Sequence, residues 1–254
     1  MILLRDQQRR GRTMNYLTDE QLASYHRDGF VALPGLFSRE EIDQYRDAAE
    51  ALKLRVSPLE PGKPRLQIEP EKDDGAYCLR LVEPLIDLSP VFEELASDPR
   101  IMEPVQKILG EKALLFEDKI NFKPPRTGSA FKLHQDQSYW NEFAQSIVSV
   151  FVHIDRSDLE NGCLQVLPGL HRCGELTFTD DGPDHTISDD RVTGIAPLDM
   201  IMEEGDILIF SSFTPHASEA NRSERVRRAI IYSYNPESEG NNYRYSEELL
   251  SSYH

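Results

Sequence analysis

The runs ALLFEDKINF (residues 113–122), SIVSVFVHI (146–154), CLQVLP (163–168), DILIF (206–210) and AIIYSY (229–234) decide the fold of this chain. Each is short, rich in β-branched and aromatic residues and bounded by turn formers, the texture of strands in a β-rich body. Upstream the pattern is helical. TDEQLASYHRDG (18–29) opens on Thr18 followed by Glu20 and Gln21, sets Leu22, Tyr25 and His26 at helical spacing and stops at Gly29, and FVALP (30–34) follows as a strand. Ser38 caps REEIDQYRDAAEALKLRV (39–56), in which Ile42, Tyr45, Ala48, Ala49 and Leu52 form one apolar stripe suited to packing on a sheet. SPVFEELASDPRIMEPVQKILG (89–110) is punctuated by Pro99 and predicts two short helices. Between them, PLEPGKPRLQIEPEKDDG (58–75) is proline-rich, charged and aperiodic, and predicts a long loop near a site. Helices first and strands after is an α+β order. The absence of repeats, phosphate-binding glycine loops and strand–helix alternation argues against a nucleotide-binding α/β fold.

Composition narrows the function. At 254 residues, 39% hydrophobic and 28% charged, the chain has material for one sizeable core. A single domain is expected over 14–254, with residues 1–13, which carry Arg5, Arg9, Arg10 and Arg12 against Asp6, as a disordered extension or start artefact. A formal charge of −16 opposes general attraction to nucleic acid or anionic membranes. Three cysteines without a CxxC pair suggest neither a disulfide framework nor a zinc knuckle. With no long apolar run and no secretory leader pattern, a cytoplasmic setting is expected.

The chemistry concentrates in FKLHQDQSYW (131–140) and TPHASEA (214–220). His134 and Asp136 stand two apart, so an extended strand would send both side chains from one face. His216 follows the strand DILIF, and a β-barrel can bring such strand ends together. Two imidazoles and a carboxylate are the facial ligand set of Fe(II) oxygenases, although the same set could hold Zn(II) for hydrolysis. Arg227 lies eleven residues beyond His216 at the start of RRAIIYSY, where alternation directs it to the face opposite Arg228. A buried guanidinium there would suit the distal carboxylate of 2-oxoglutarate; a strand-end arginine in solvent is the plainer alternative. Tyr139 and Trp140 could wall a substrate pocket or serve as core. Asn121 and Lys123 are candidates for the cosubstrate pocket. His153 and His171 read as supporting residues, and Gly162 and Gly169 as turn formers. No G-x-S-x-G elbow supports acyl transfer.

Taken together, DGFVALPGLFS, NFKPP, LHQDQSYW, HIDRSDLENGCLQVLPGLHR, EEGDILIF, TPHASEANRS and VRRAI resemble the phytanoyl-CoA dioxygenase family of Fe(II)- and 2-oxoglutarate-dependent oxygenases, from about Thr18 to Asn235. The resemblance implies that His134, Asp136 and His216 bind iron, that Arg227 clamps 2-oxoglutarate and that Ser218 adds a second contact. Asp136 occupies the position where halogenating relatives carry a small residue, which implies oxygen insertion instead. The expected fold is mainly β with added helices: a double-stranded β-helix, jelly-roll and cupin-like, with the N-terminal helices packed on one sheet. The expected activity is hydroxylation of an unactivated C–H bond of a small metabolite or natural-product intermediate, with O2 and 2-oxoglutarate as cosubstrates and no nucleic acid or membrane partner. Desaturation, epoxidation, cyclisation and stereoinversion use the same ligands, and a non-catalytic binding barrel is the reading from another class.

Overall fold

The computed structural model describes residues 15–71, 75–179, 185–243 and 245–253, so the extension anticipated over residues 1–13 lies outside the described residues. Four helices of more than one turn are α1 (Asp19–Asp28), α2 (Arg39–Val56), α3 (Pro90–Ala96) and α4 (Pro99–Leu109), and α5 (Gln137–Trp140) and α6 (Glu247–Leu250) are single turns. The capping logic holds at atomic detail. Thr18 and Ser38 each accept from the backbone N–H three residues on, and Gln21 and Glu41 reach back to the cap N–H.

The strands form two facing antiparallel sheets, the expected jelly roll. The larger runs in the order β1 (Phe30–Leu33), β11 (Ile207–Ser211), β6 (Val148–His153), β13 (Arg227–Pro236), β4 (Ala113–Lys123), β3 (Tyr77–Val82), β2 (Leu66–Pro70). The smaller runs β10 (Leu198–Met200), β7 (Leu164–Val166), β12 (His216–Ser218), β5 (Phe131–His134), and a hairpin of β8 (Phe178–Thr179) and β9 (Thr186–Ile187) stands apart. Pleating sorts the side chains into two cores. Val150, Val152, Ile207, Ile209, Ile230, Tyr232 and Tyr234 face outward and pack with Ile42, Tyr45, Ala49 and Leu52 of α2 and Phe92 and Ile101 of α3 and α4. Phe151, Leu208, Phe210, Ala229 and Ile231 face inward and meet Leu164, Val166 and Met200 of the smaller sheet. β13 lies between β6 and β4 with helices on one side and the second sheet on the other, so all ten of its residues are buried. Its apolar run is continuous for that reason.

Two expectations are corrected. Residues 58–75 are not one long loop, because Leu66–Pro70 pairs with Tyr77–Val82 as the sheet's edge strand; Pro70 is tolerated there because an edge leaves one row of backbone donors unused. Asp136 is not on an extended strand with His134: β5 ends at His134, and Asp136 adopts right-handed helical φ/ψ (−57°, −33°) at the start of α5.

Candidate active site

Strand pairing brings together three side chains that could hold a metal ion. His216 on β12 sits opposite His134 on β5, with ring centroids 4.2 Å apart. The chain then turns out of β5, so that Asp136 Oδ1 lies 3.5 Å from His134 Nε2 and 3.6 Å from His216 Nε2. One ligand atom from each residue falls within 4.8 Å of the others, a spacing that an ion bonded at about 2.0–2.2 Å to all three can close with small side-chain adjustments. Each imidazole is oriented from behind. His134 Nδ1 is 2.7 Å from the Lys132 carbonyl and His216 Nδ1 2.9 Å from the Thr214 carbonyl, so with Nδ1 protonated both Nε2 lone pairs face the cluster. Burial pushes the His216 imidazole down to about 4, which keeps it neutral and able to ligate. Burial opposes ionisation of Asp136, yet His216 and His134 hold its carboxyl well below the ordinary range.

Gln135, between the two ligands, anchors the turn. Its amide donates to the Phe213 carbonyl at 2.6 Å and the Gly174 carbonyl at 3.1 Å, and its oxygen accepts from Leu176 N–H at 2.8 Å. Gln137 accepts from the Ser212 hydroxyl at 2.7 Å, and Ser149 donates to Asp136 Oδ2 at 3.4 Å. Sequence reading passed over these three. The alternation in HQDQ was its only hint.

Beside the cluster is a concentration of buried positive charge. Arg227 and Lys123 pair directly across β13 and β4 and are only 2% and 1% exposed. Arg227 Nη1 donates to the Gly162 carbonyl, while its Nε has no partner. Lys123 Nζ donates to Ser218 Oγ at 2.8 Å and to the Glu219 carbonyl. Burial, and then Arg227, push the Lys123 amine down to about 6; burial also lowers Arg227, to about 10. Asn121 Oδ1, on the same inner face of β4, is likewise buried without a partner. A buried guanidinium facing a buried amine, with spare hydrogen-bonding capacity, fits a carboxylate ligand that would let both carry charge. Arg228 points the other way and is neutralised by Asp155 and Glu50, as alternation required. Gly162 does more than turn the chain: at φ +73° it brings its carbonyl to Arg227, and a Cβ there would collide with the Glu219 carbonyl oxygen.

These residues open onto one cavity of about 690 Å³ that includes His134, Asp136, His216, Arg227, Ser218 and Asn121 in its lining. Lys123 stands behind the wall, reaching it through Ser218. Tyr139 and Trp140 both line the cavity. Trp140 is buried edge-on against Phe116 at 5.2 Å, while Tyr139 is 41% exposed at the mouth and stacks on His185 at 4.3 Å. His185 stacks in turn on Phe178, so the small hairpin borders the entrance. Glu117 and Lys119, which sequence reading did not single out, also line the cavity and lie 2.6 Å apart as an ion pair. His153 and His171 are not among the three residues of the cluster. Among the described residues no helix is long and apolar enough to cross a membrane.

Residues 25–229 match the phytanoyl-CoA dioxygenase (PhyH) family. The chain is 33% identical over 228 residues to the 2-aminoethylphosphonate dioxygenase of an uncultured bacterium (HF130_AEPn_1), covering 89% of this chain and 85% of that one. It is 30% identical over 225 residues to the methylphosphonate hydroxylase of Gimesia maris, covering 88% and 83% respectively. In fold it superposes on the crystal structure of apo EctD from S. alaskensis with a TM-score of 0.74 at 22% identity, over 90% of this chain and 80% of the other. With both the family match and these relatives spanning strands and cluster alike, the chain belongs to the phytanoyl-CoA dioxygenase family of Fe(II)- and 2-oxoglutarate-dependent oxygenases.

Proposed function

We propose that His134, Asp136 and His216 hold Fe(II), that Arg227, helped by Lys123, Ser218 and Asn121, holds the distal carboxylate of 2-oxoglutarate, and that the enzyme hydroxylates a C–H bond of a small organophosphonate. The observation that carries this reading is the juxtaposition, on one cavity, of the two-histidine, one-carboxylate cluster with the buried Arg227 guanidinium, which Lys123 backs from behind the wall. A hydrolytic zinc site would leave that guanidinium unexplained. When bound, iron and 2-oxoglutarate would supply, by reaction with O2, an oxidant strong enough for an unactivated C–H bond, one oxygen atom going to succinate as CO2 is lost and the other to the substrate.

The protein's part is binding and aim. Asp136 remains ionised and offsets part of the metal's charge. The carbonyls of Lys132 and Thr214 keep both ligating imidazoles in one tautomer, while Gln135 fixes the turn that sets the third ligand. Arg227 orients the cosubstrate, leaving the rest of the cavity for substrate. Its size and charged lining suit a compact polar molecule, and the two phosphonate-active relatives indicate the class to try first.

Incubating the protein with Fe(II), 2-oxoglutarate, O2 and 2-aminoethylphosphonate or methylphosphonate tests this. Succinate and a hydroxylated phosphonate should form together, and both should require His134. Arg227→Leu should raise the KM for 2-oxoglutarate about 10- to 100-fold, the worth of a charge-assisted hydrogen-bond pair, with iron binding retained. An unchanged KM would remove Arg227 from the cosubstrate site, and turnover that ignores 2-oxoglutarate would overturn the reading.

A further inference from the structure

The inner face of β4 carries four polar residues at alternate positions, Glu117, Lys119, Asn121 and Lys123, opposite Ser233, Ile231, Ala229 and Arg227 of β13. They belong to two ends of the cavity. Lys123 has Arg227, Arg80, Glu69 and Glu219 as its charged neighbours, whereas Lys119 has Glu117, Glu83 and Asp136. Their backbone positions are four residues apart, about 13 Å along the strand. A cosubstrate seated on Arg227 therefore leaves Glu117 and Lys119 without a role.

Both residues line the cavity, and both are expensive to keep there as charges. Lys119 Nζ lies 2.6 Å from Glu117 Oε2 and 5.9 Å from the Trp140 ring centre. At that distance the two form a direct buried ion pair. Glu83 lines the same wall, giving two carboxylates for one lysine. The Tyr245 hydroxyl donates to Glu83 Oε1 at 3.4 Å and adds no positive charge. Around Lys119, then, the carboxylates of Glu117 and Glu83 share one ammonium, and a second cation would balance them.

We propose that Glu117 and Lys119 are specificity-determining residues that read a zwitterionic substrate, a 2-aminoalkylphosphonate, with Glu117 taking the substrate ammonium and Lys119 its anionic head. The assignment rests on the cavity being the substrate site of an oxygenase, as proposed above. A zwitterion suits a pair that is already neutral: inserted with its head singly ionised, it exchanges one ion pair for two and adds no net charge to a buried wall. The substrate's cationic end also answers the excess of acid that Glu83 creates.

The test compares 2-aminoethylphosphonate with ethylphosphonate, which lacks only the ammonium, in two readouts: succinate formation, and anaerobic calorimetric binding to protein loaded with Fe(II) and 2-oxoglutarate. Wild-type protein should prefer the amino compound by about 10- to 100-fold in kcat/KM and in affinity, the worth of one charge-assisted hydrogen bond. Glu117→Gln should erase that preference, and Lys119→Gln should weaken binding of both compounds. This split separates recognition from a merely structural role, and thermal melting of each variant establishes that it is folded. A wild type without the preference, or a preference that survives in folded Glu117→Gln, overturns the proposal even if succinate forms. If neither compound binds or drives succinate release while 2-oxoglutarate also fails to bind, the oxygenase reading falls first and this assignment with it.

Discussion

At the scale of single residues, Lys123 and Arg227 place an amine and a guanidinium at directly paired positions of a buried sheet, where both can be charged at low cost only when an anion joins them. With its amine near 6 by itself, Lys123 is neutral at pH 7.5; a bound carboxylate favours its charged form and raises that value. Binding of 2-oxoglutarate should then take up a proton, and affinity should fall as pH rises above about 6. Calorimetry at pH 7.5 in buffers of different ionisation enthalpy should show net uptake that is lost in Lys123→Gln; no uptake in the wild type would contradict the pairing. Gly162→Ala adds a Cβ at positive φ against the Glu219 carbonyl, next to Lys123 Nζ. It should destabilise the fold by about 1–3 kcal/mol in urea unfolding and weaken 2-oxoglutarate binding, and an unchanged midpoint would show that the loop yields freely. The inward aim of Arg227 was legible in sequence because strand alternation opposes it to Arg228. The use of Gly162 was not, since it depends on a carbonyl 57 positions downstream.

At the scale of elements, the metal cluster is made by the end of a strand and the turn after it. The spacing of His134 and Asp136 picked out two residues that the structure does bring together, but by another route: Asp136 arrives through helical backbone and not through the pleat. What fixes that turn is Gln135, which bridges Phe213, Gly174 and Leu176 from three separate segments. Gln135→Ala leaves those backbone groups without it. The variant should lose about 1–3 kcal/mol in urea denaturation and bind iron about tenfold more weakly in metal titration. Stability and iron affinity equal to wild type would show that the turn holds itself. Helices α1 and α2 were readable to the residue at their starts, because a capping box is local chemistry. The edge strand Leu66–Pro70 was not, because its prolines and charges mask the strand pattern although its partner β3 follows a few residues later.

On the scale of the whole molecule, one sheet serves two purposes. Its outer face is covered by α2, α3 and α4, and its inner face carries the cations, the ion pair and half of the apolar lining that faces the smaller sheet. The continuous burial of β13 follows from this position, and so does its usefulness as a rigid mount for Arg227. Strand content and fold class were legible in the runs after Ala113; the pairing order, which puts His216 opposite His134 and Arg227 opposite Lys123, came only with the assembled sheets. The central claim is that this assembly joins an iron site to a 2-oxoglutarate site. Anaerobic titration of the protein with Fe(II) and then 2-oxoglutarate, followed by the visible absorption band that arises when 2-oxoglutarate chelates Fe(II), measures that union directly. The band should grow to one equivalent of each per chain and be absent in His134→Ala. No band in the wild type, or an undiminished band in His134→Ala, would contradict the account.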